Sequence, residues 1–246
     1  MDKPVIQVNH LENICWNNPV SDLKVHQSTD VWRLRVSSYL EDIADLWLIL
    51  HPAEQQRANR YRREQDKQRF IIAHAYLRIL LGKYMCISPK DILLETGDNG
   101  KPIMKSVEEK VLHFNISHSG DYVLIAISDS ETGVDVEKTN KEMHFDEVMD
   151  ISFSKAEIAF VKTSGNPTLS FYRLWTRKEA LLKATAQGID DHLKFIPALN
   201  GSHNVSNDIM ASPKNWQVSS FVVDKDYTAA VAYNNSNVNF NEILTL

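Results

Sequence analysis

Two long amphipathic stretches govern what this chain can fold into. The first spans 66–85 and carries Phe70, Ala73, Leu77, Leu80 and Leu81 at helical spacing. The second spans roughly 168–187, with Phe171, Leu174, Trp175 and Leu182 as its apolar stripe. Each has strand-patterned companions. VWRLRVSSY (31–39) and DILLET (91–96) accompany the first helix. VLHFNISHS, YVLIAIS (122–128), TGVDVEK, QVSSFVVD, YTAAVAYN and VNFNEIL accompany the second. The layout predicts an α+β protein of two similar halves, each with a small, mainly antiparallel sheet and one long helix. The turn cluster GDNGKP (97–102) and the polar run after it predict halves at 1–108 and 109–246. The duplication is topological, with no residue-level repeat. Residues 1–30 read as a polar lead-in holding at most one short strand. YVLIAIS and TGVDVEK, joined by Asp-Ser-Glu, predict a hairpin. Ser154 and Glu157 form a capping-box pattern that opens a helix over 153–162.

A length of 246 residues with 43% hydrophobic and 24% charged side chains predicts an ordinary globular core. The net charge of −5 argues against a nucleic-acid partner. Two cysteines, Cys15 and Cys86, are too few for a disulfide framework or a zinc site. There is no signal-peptide-like apolar run and no stretch near the roughly 20 apolar residues of a membrane span. These features predict a soluble, cytoplasmic protein with no membrane partner.

The chemistry concentrates in a few patterns. Asp135 and Glu137 in GVDVEK alternate along a strand and so share one face, with Val134 and Val136 on the other. Gly133 ahead of them permits a close backbone approach. Glu179 and Lys183 in WTRKEALLK lie four apart on the second helix, where they can pair. Oxygen-donor carboxylates suit a hard divalent cation that also takes phosphate oxygens. In FNISHSGDY, Asn115, Ser117, His118 and Ser119 end a strand at Gly120, offering short polar groups to phosphate. Gly100, Lys101 and Pro102 form a turn without Walker spacing. Arg57, Arg60, Arg62, Arg63 and Arg69 make a basic patch that matters if it converges on the same cleft.

GKP, FNISHS, GVDVEK and WTRKEALLKATAQG, in this order and at these separations, resemble the Sfp-type 4′-phosphopantetheinyl transferases. The resemblance covers roughly residues 50–190. It implies a pseudo-dimeric α+β fold with coenzyme A in the cleft between the halves. It implies transfer of the 4′-phosphopantetheine arm to a serine of an acyl, peptidyl or aryl carrier protein, with release of 3′,5′-ADP. The implied Mg²⁺ ligands (Mn²⁺ as a substitute) are Asp135, Glu137 and Glu179. Glu179 is also the implied base, and Lys183 the group that stabilises the leaving nucleotide. Coenzyme A contacts are implied at Arg57, Arg69, Gly100, Lys101, Pro102, Ser117 and His118, and an internally duplicated monomer is expected. Two departures stand out. Ala186-Gln187-Gly188 replaces a Gly-Lys-Gly run, and Glu54, Gln55 and Gln56 stand where basic residues are frequent. The rival readings are a non-catalytic coenzyme A or nucleotide-binding module and a Mg²⁺-dependent phosphodiesterase. The intact acids count against the first and the negative charge against a nuclease groove.

Overall fold

The computed structural model describes residues 3–17, 23–97, 101–104, 111–187, 193–206, 209 and 212–243. In chain order the first run holds strands β1 (Val5–His10) and β2 (Ser28–Arg35), then helices α1 (Ile43–Trp47), α2 (Pro52–Ala58) and α3 (Glu64–Met85). A short pair, β3 (Leu94–Thr96) and β4 (Pro102–Met104), precedes β5 (His113–Ser119) and β6 (Tyr122–Ser128). The second run holds β7 (Thr132–Lys138), α4 (Asp146–Ser152), α5 (Lys155–Thr163) and α6 (Pro167–Thr185). It closes with β8 (Gly201–Asn204), β9 (Trp216–Asp224), β10 (Tyr227–Tyr233) and β11 (Asn237–Glu242). Among the described residues no helix is long and apolar enough to cross a membrane.

The duplication is visible in the strand order. One sheet runs β11-β2-β6-β5 and the other β7-β10-β9-β1-β8. Each contains the same unit of a strand, a long helix and an antiparallel hairpin. In space the strands lie as β2-β6-β5 and as β7-β10-β9. The repeated unit changes over between β6 and β7; the expected boundary at 108/109 lies outside the described residues. β6 and β7 do not form the expected hairpin; β6 pairs with β2 and β5, whereas β7 pairs with β10 in the other sheet. The hairpin is β5–β6, turned by Gly120 and Asp121, with Gly120 at φ +55°.

The lead-in is also more ordered than its composition suggests. β1 lies between β8 and β9, parallel to β9 with Ile6 opposite Trp216, and Ile6 and Val8 are buried. Both sheets thus draw strands from both ends of the chain. β6 and β10 are buried along their whole length because layers cover both faces. Val123, Ile125 and Ile127 pack with the α3 residues Leu77, Leu80 and Leu81. Leu124 and Ala126 face Val134, Val136, Ala229 and Val231 of the second sheet. Ala230 and Ala232 pack with Ala180, Leu181 and Ala184 of α6. The order of layers is α3, first sheet, second sheet, α6.

α6 begins where Asn166 accepts a hydrogen bond from the Leu169 amide at 3.1 Å, with Pro167 at the first position. It ends at Ala186, which takes the left-handed conformation (φ 55°) that glycine usually supplies. The family departure at 186 therefore leaves the helix stop in place, and Gly188 lies outside the described residues. The predicted capping box forms: Ser154 Oγ accepts from Glu157 N at 3.3 Å, and Ser154 N donates to Glu157 Oε2 at 2.8 Å.

Candidate active site

β5 and β7 are edge strands of different sheets, and they meet without a backbone ladder. Side chains from alternate β5 positions bridge the seam. Asn115 Oδ1 accepts from Val134 N (2.8 Å), Ser117 Oγ from Val136 N (3.3 Å) and Ser119 Oγ from Lys138 N (3.0 Å). This seam opens into a cavity of about 420 Å³. α2 and α3 contribute Arg57, Phe70 and His74 to its wall, β7 contributes Asp135 and Glu137, and α6 contributes Trp175, Glu179 and Lys183. The three α6 residues are four apart, so one helix face lines the cleft. The three acids thus line the same cavity.

Gly133 explains how they come so close. A Cβ there would lie 2.1 Å from the Ala180 carbonyl oxygen and 2.4 Å from the Ala184 nitrogen. The α6 backbone therefore rests directly on β7, two residues from Asp135.

The electrostatics follow from this crowding. Asp135 Oδ1 accepts from Lys183 Nζ at 2.6 Å and from Ser117 Oγ at 2.9 Å. Glu137 Oε2 accepts from Ser119 Oγ at 2.9 Å. Lys183 pairs with Asp135 rather than with Glu179, contrary to the i,i+4 expectation. Burial, then the charges of Asp135 and Glu137, push the Glu179 carboxyl up to about 7, against the pull of Lys183. Burial also raises Asp135, opposed by Lys183 and Ser117, and burial followed by Asp135 raises Glu137. Asp135 Oδ2 and Glu179 Oε1 are buried with no hydrogen-bond partner. Orphaned buried oxygens are costly unless something fills the site. An all-oxygen donor set with two orphans fits a hard divalent cation. Among the described residues no three such groups are already gathered closely enough to hold one, with the Lys183 ammonium seated on Asp135.

The expected coenzyme A contacts divide. Ser117, His118, Pro102 and Arg57 line the cavity. His118 lines the cavity from β5 itself. Enclosing protein, then Arg69, lower its pKa, which favours a neutral imidazole. Arg69 does not line the cleft; it donates to the Gly120 carbonyl at 2.9 Å and to Asp66 at 3.1 Å. Of the arginines in the basic patch, Arg57 lines the cavity, its guanidinium 5.3 Å from the Phe70 ring centre. Lys101 points elsewhere too. Its ammonium donates to Lys183 O (2.6 Å), Thr132 O (3.2 Å) and Ala184 O (3.3 Å), tying the end of α6 to the start of β7. Burial lowers its pKa to about 8, opposed by the charge of Glu131. Gly100 lies outside the described residues.

Several supporting residues carry no sequence signal of their own. Glu54, which seemed a loss of basic character, anchors Arg78 at 2.5 Å and His74 at 2.9 Å. His74 in turn stacks on Phe70. Arg177 and Lys178, inside WTRKEALLK, face away from the cleft and are fully buried. Arg177 bonds Ser220, Ala198 O, Asn9 O and Asn200. Lys178 pairs with Glu157 at 3.0 Å and donates to Leu193 O and Ile196 O. The capping glutamate of α5 thereby fixes the rotation of α6. Lys178→Met leaves Glu157 buried and uncompensated. It should lower stability by about 3–5 kcal/mol, read as a thermal midpoint roughly 10 °C lower or more.

A duplicated α+β fold with carboxylates and a lysine at the seam of its halves defines a class of phosphate-handling enzyme. Comparison with known proteins makes the class specific. Residues 131–232 match the family model described as 4′-phosphopantetheinyl transferase superfamily, and residues 37–130 match that of the N-terminal part of 4′-phosphopantetheinyl transferases. The two matches abut at 130/131, between β6 and β7. The chain is 33% identical over 201 residues to a Synechocystis protein provisionally named a 4′-phosphopantetheinyl transferase, covering 78% of this chain and 82% of the relative. It is 28% identical to the 4′-phosphopantetheinyl transferase Sfp of Bacillus subtilis over 74% of this chain and 81% of Sfp. It is 29% identical to the 4′-phosphopantetheinyl transferase HetI of Nostoc over 82% and 86%. This chain belongs to the 4′-phosphopantetheinyl transferase family.

Proposed function

We propose that the protein transfers the 4′-phosphopantetheine arm of coenzyme A to a serine hydroxyl of an apo acyl, peptidyl or aryl carrier protein, with Mg²⁺ or Mn²⁺ held by Asp135, Glu137 and Glu179. The observation that carries this reading is the pair of orphaned carboxylate oxygens, Asp135 Oδ2 and Glu179 Oε1, at the wall of one cavity. The bound cation would neutralise the diphosphate of coenzyme A and so favour attack at phosphorus. Glu179, which lines the same cavity, would receive the serine proton, directly or through water. The serine oxygen forms a new bond to the phosphopantetheine phosphorus while the diphosphate bridge breaks, and 3′,5′-ADP leaves. Lys183 stabilises the charge on that leaving group. Arg57, His118, Ser117 and Pro102, which line the cavity, orient the cofactor. Most of the rate then comes from positioning and electrostatics. The protein works as a monomer, because the duplicated fold supplies both sides of the cleft, and its two free cysteines suit the reducing cytoplasm.

The test is incubation with coenzyme A, Mg²⁺ and an apo carrier protein. The expected result is a carrier mass gain of one phosphopantetheine arm and an equivalent of 3′,5′-ADP. Binding without mass gain would support the coenzyme A-binding module instead. Hydrolysis without a protein acceptor would support the phosphodiesterase.

A further inference from the structure

We infer that Ser119 is a positioning residue that sets the affinity of the site for its divalent cation, although it lies outside the ligand set. This rests on the metal reading above. β5 presents Asn115, Ser117 and Ser119 at period two toward the open edge of β7. Each is hydrogen-bonded to a β7 amide, so the three side chains replace the missing backbone ladder. Two of them do more. Ser117 Oγ donates to Asp135 and Ser119 Oγ donates to Glu137, both at 2.9 Å. A hydroxyl has a single proton to give. In Ser119 that proton goes to Glu137 Oε2, while the same oxygen accepts from Lys138 N at 3.0 Å. The carboxylate is therefore referenced to the backbone one residue beyond it, and its rotation is fixed before any ligand arrives. Ser117 does the same for Asp135, but it also lines the cleft and contacts Lys183 at 3.1 Å, so its loss would mix several effects. Ser119 is not part of that wall and isolates the positioning role. Groups that orient metal-binding carboxylates from behind typically alter affinity by about 10–100-fold when removed.

The experiment measures Mn²⁺ binding to the full metal-free chain by electron paramagnetic resonance, without coenzyme A or carrier. Wild type is compared with Ser119→Ala, Ser119→Thr and Ser119→Val, and the metal-free melting midpoint of each is recorded. The Thr and Val variants have the same shape and differ in the hydroxyl. Weakening of at least about 10-fold in the Ala and Val variants, with Thr within about threefold of wild type, is expected. A residue that only braced the two sheets would lower the melting midpoints and leave Mn²⁺ affinity unmoved. Dissociation constants of the Ala and Val variants within about twofold of wild type would overturn the inference and leave the transferase reading standing. Absence of Mn²⁺ binding by the wild type would overturn both.

Discussion

Glu179→Gln and Asp135→Asn are each expected to reduce phosphopantetheine transfer by at least about 10³-fold, with the fold intact. Mass spectrometry of an apo carrier protein checks the first part, and a carrier fully modified at the wild-type rate would refute the assignment. The two substitutions need not weaken the protein. Glu179 has a folded-state pKa raised to about 7 by burial and by two neighbouring acids. Its contribution to stability is thus fully present below the unfolded value near 4.5 and is lost as pH rises through 7. Gln at this position does not titrate. The metal-free Glu179→Gln protein should therefore melt above wild type at pH 8, by an amount on the order of 2 kcal/mol. The gap should close as pH falls from 7 toward 4.5. Mg²⁺ should raise the wild-type midpoint and leave that of the variant nearly unchanged.

Gly133→Val carries the second large effect. Even the first added carbon meets backbone atoms of α6 at 2.1 and 2.4 Å, and a main-chain contact cannot be relieved by a rotamer change. The helix must lift from β7. Overpacking of this kind costs about 1–3 kcal/mol or more. The larger consequence is geometric, because Glu179 and Lys183 ride on the displaced helix while Asp135 and Glu137 stay on the strand. A displacement of about 1 Å can cost about 10²-fold in rate. Transfer should therefore fall well beyond the loss of folded protein, measured by parallel melting and mass-gain assays. A variant with a normal melting midpoint and normal turnover would show that the close approach is dispensable.

The parts of this site that sequence reveals are those with short-range rules. Alternation along TGVDVEK puts Asp135 and Glu137 together, and helical spacing puts Glu179 and Lys183 on one face. The Ser154–Glu157 capping box is legible for the same reason. Partner choice across the fold is not. Lys183 has acids both one turn back on its own helix and across on β7, and it pairs with Asp135 of the strand. Lys101 and Arg69 look like phosphate ligands by type, yet carbonyl oxygens claim both. The change-over between halves was obscured because β6 and β7, though three residues apart, belong to different sheets. The place of β1 in its sheet was not legible, because the ladder partner of Ile6 is Trp216, near the other end of the chain.

That last separation bears on how the chain is made. The first strand leaves the ribosome long before its neighbour, since Ile6 must await Trp216. At about 5–20 residues per second, synthesis leaves it unpaired for roughly 10–40 s. During that interval the first-made strand of the second sheet has neither of its ladder partners, β8 or β9. Deletions that trim the amino terminus should accordingly behave as lesions of the catalytic half, and expression yield should respond to chaperone supply more than the small size of the protein suggests.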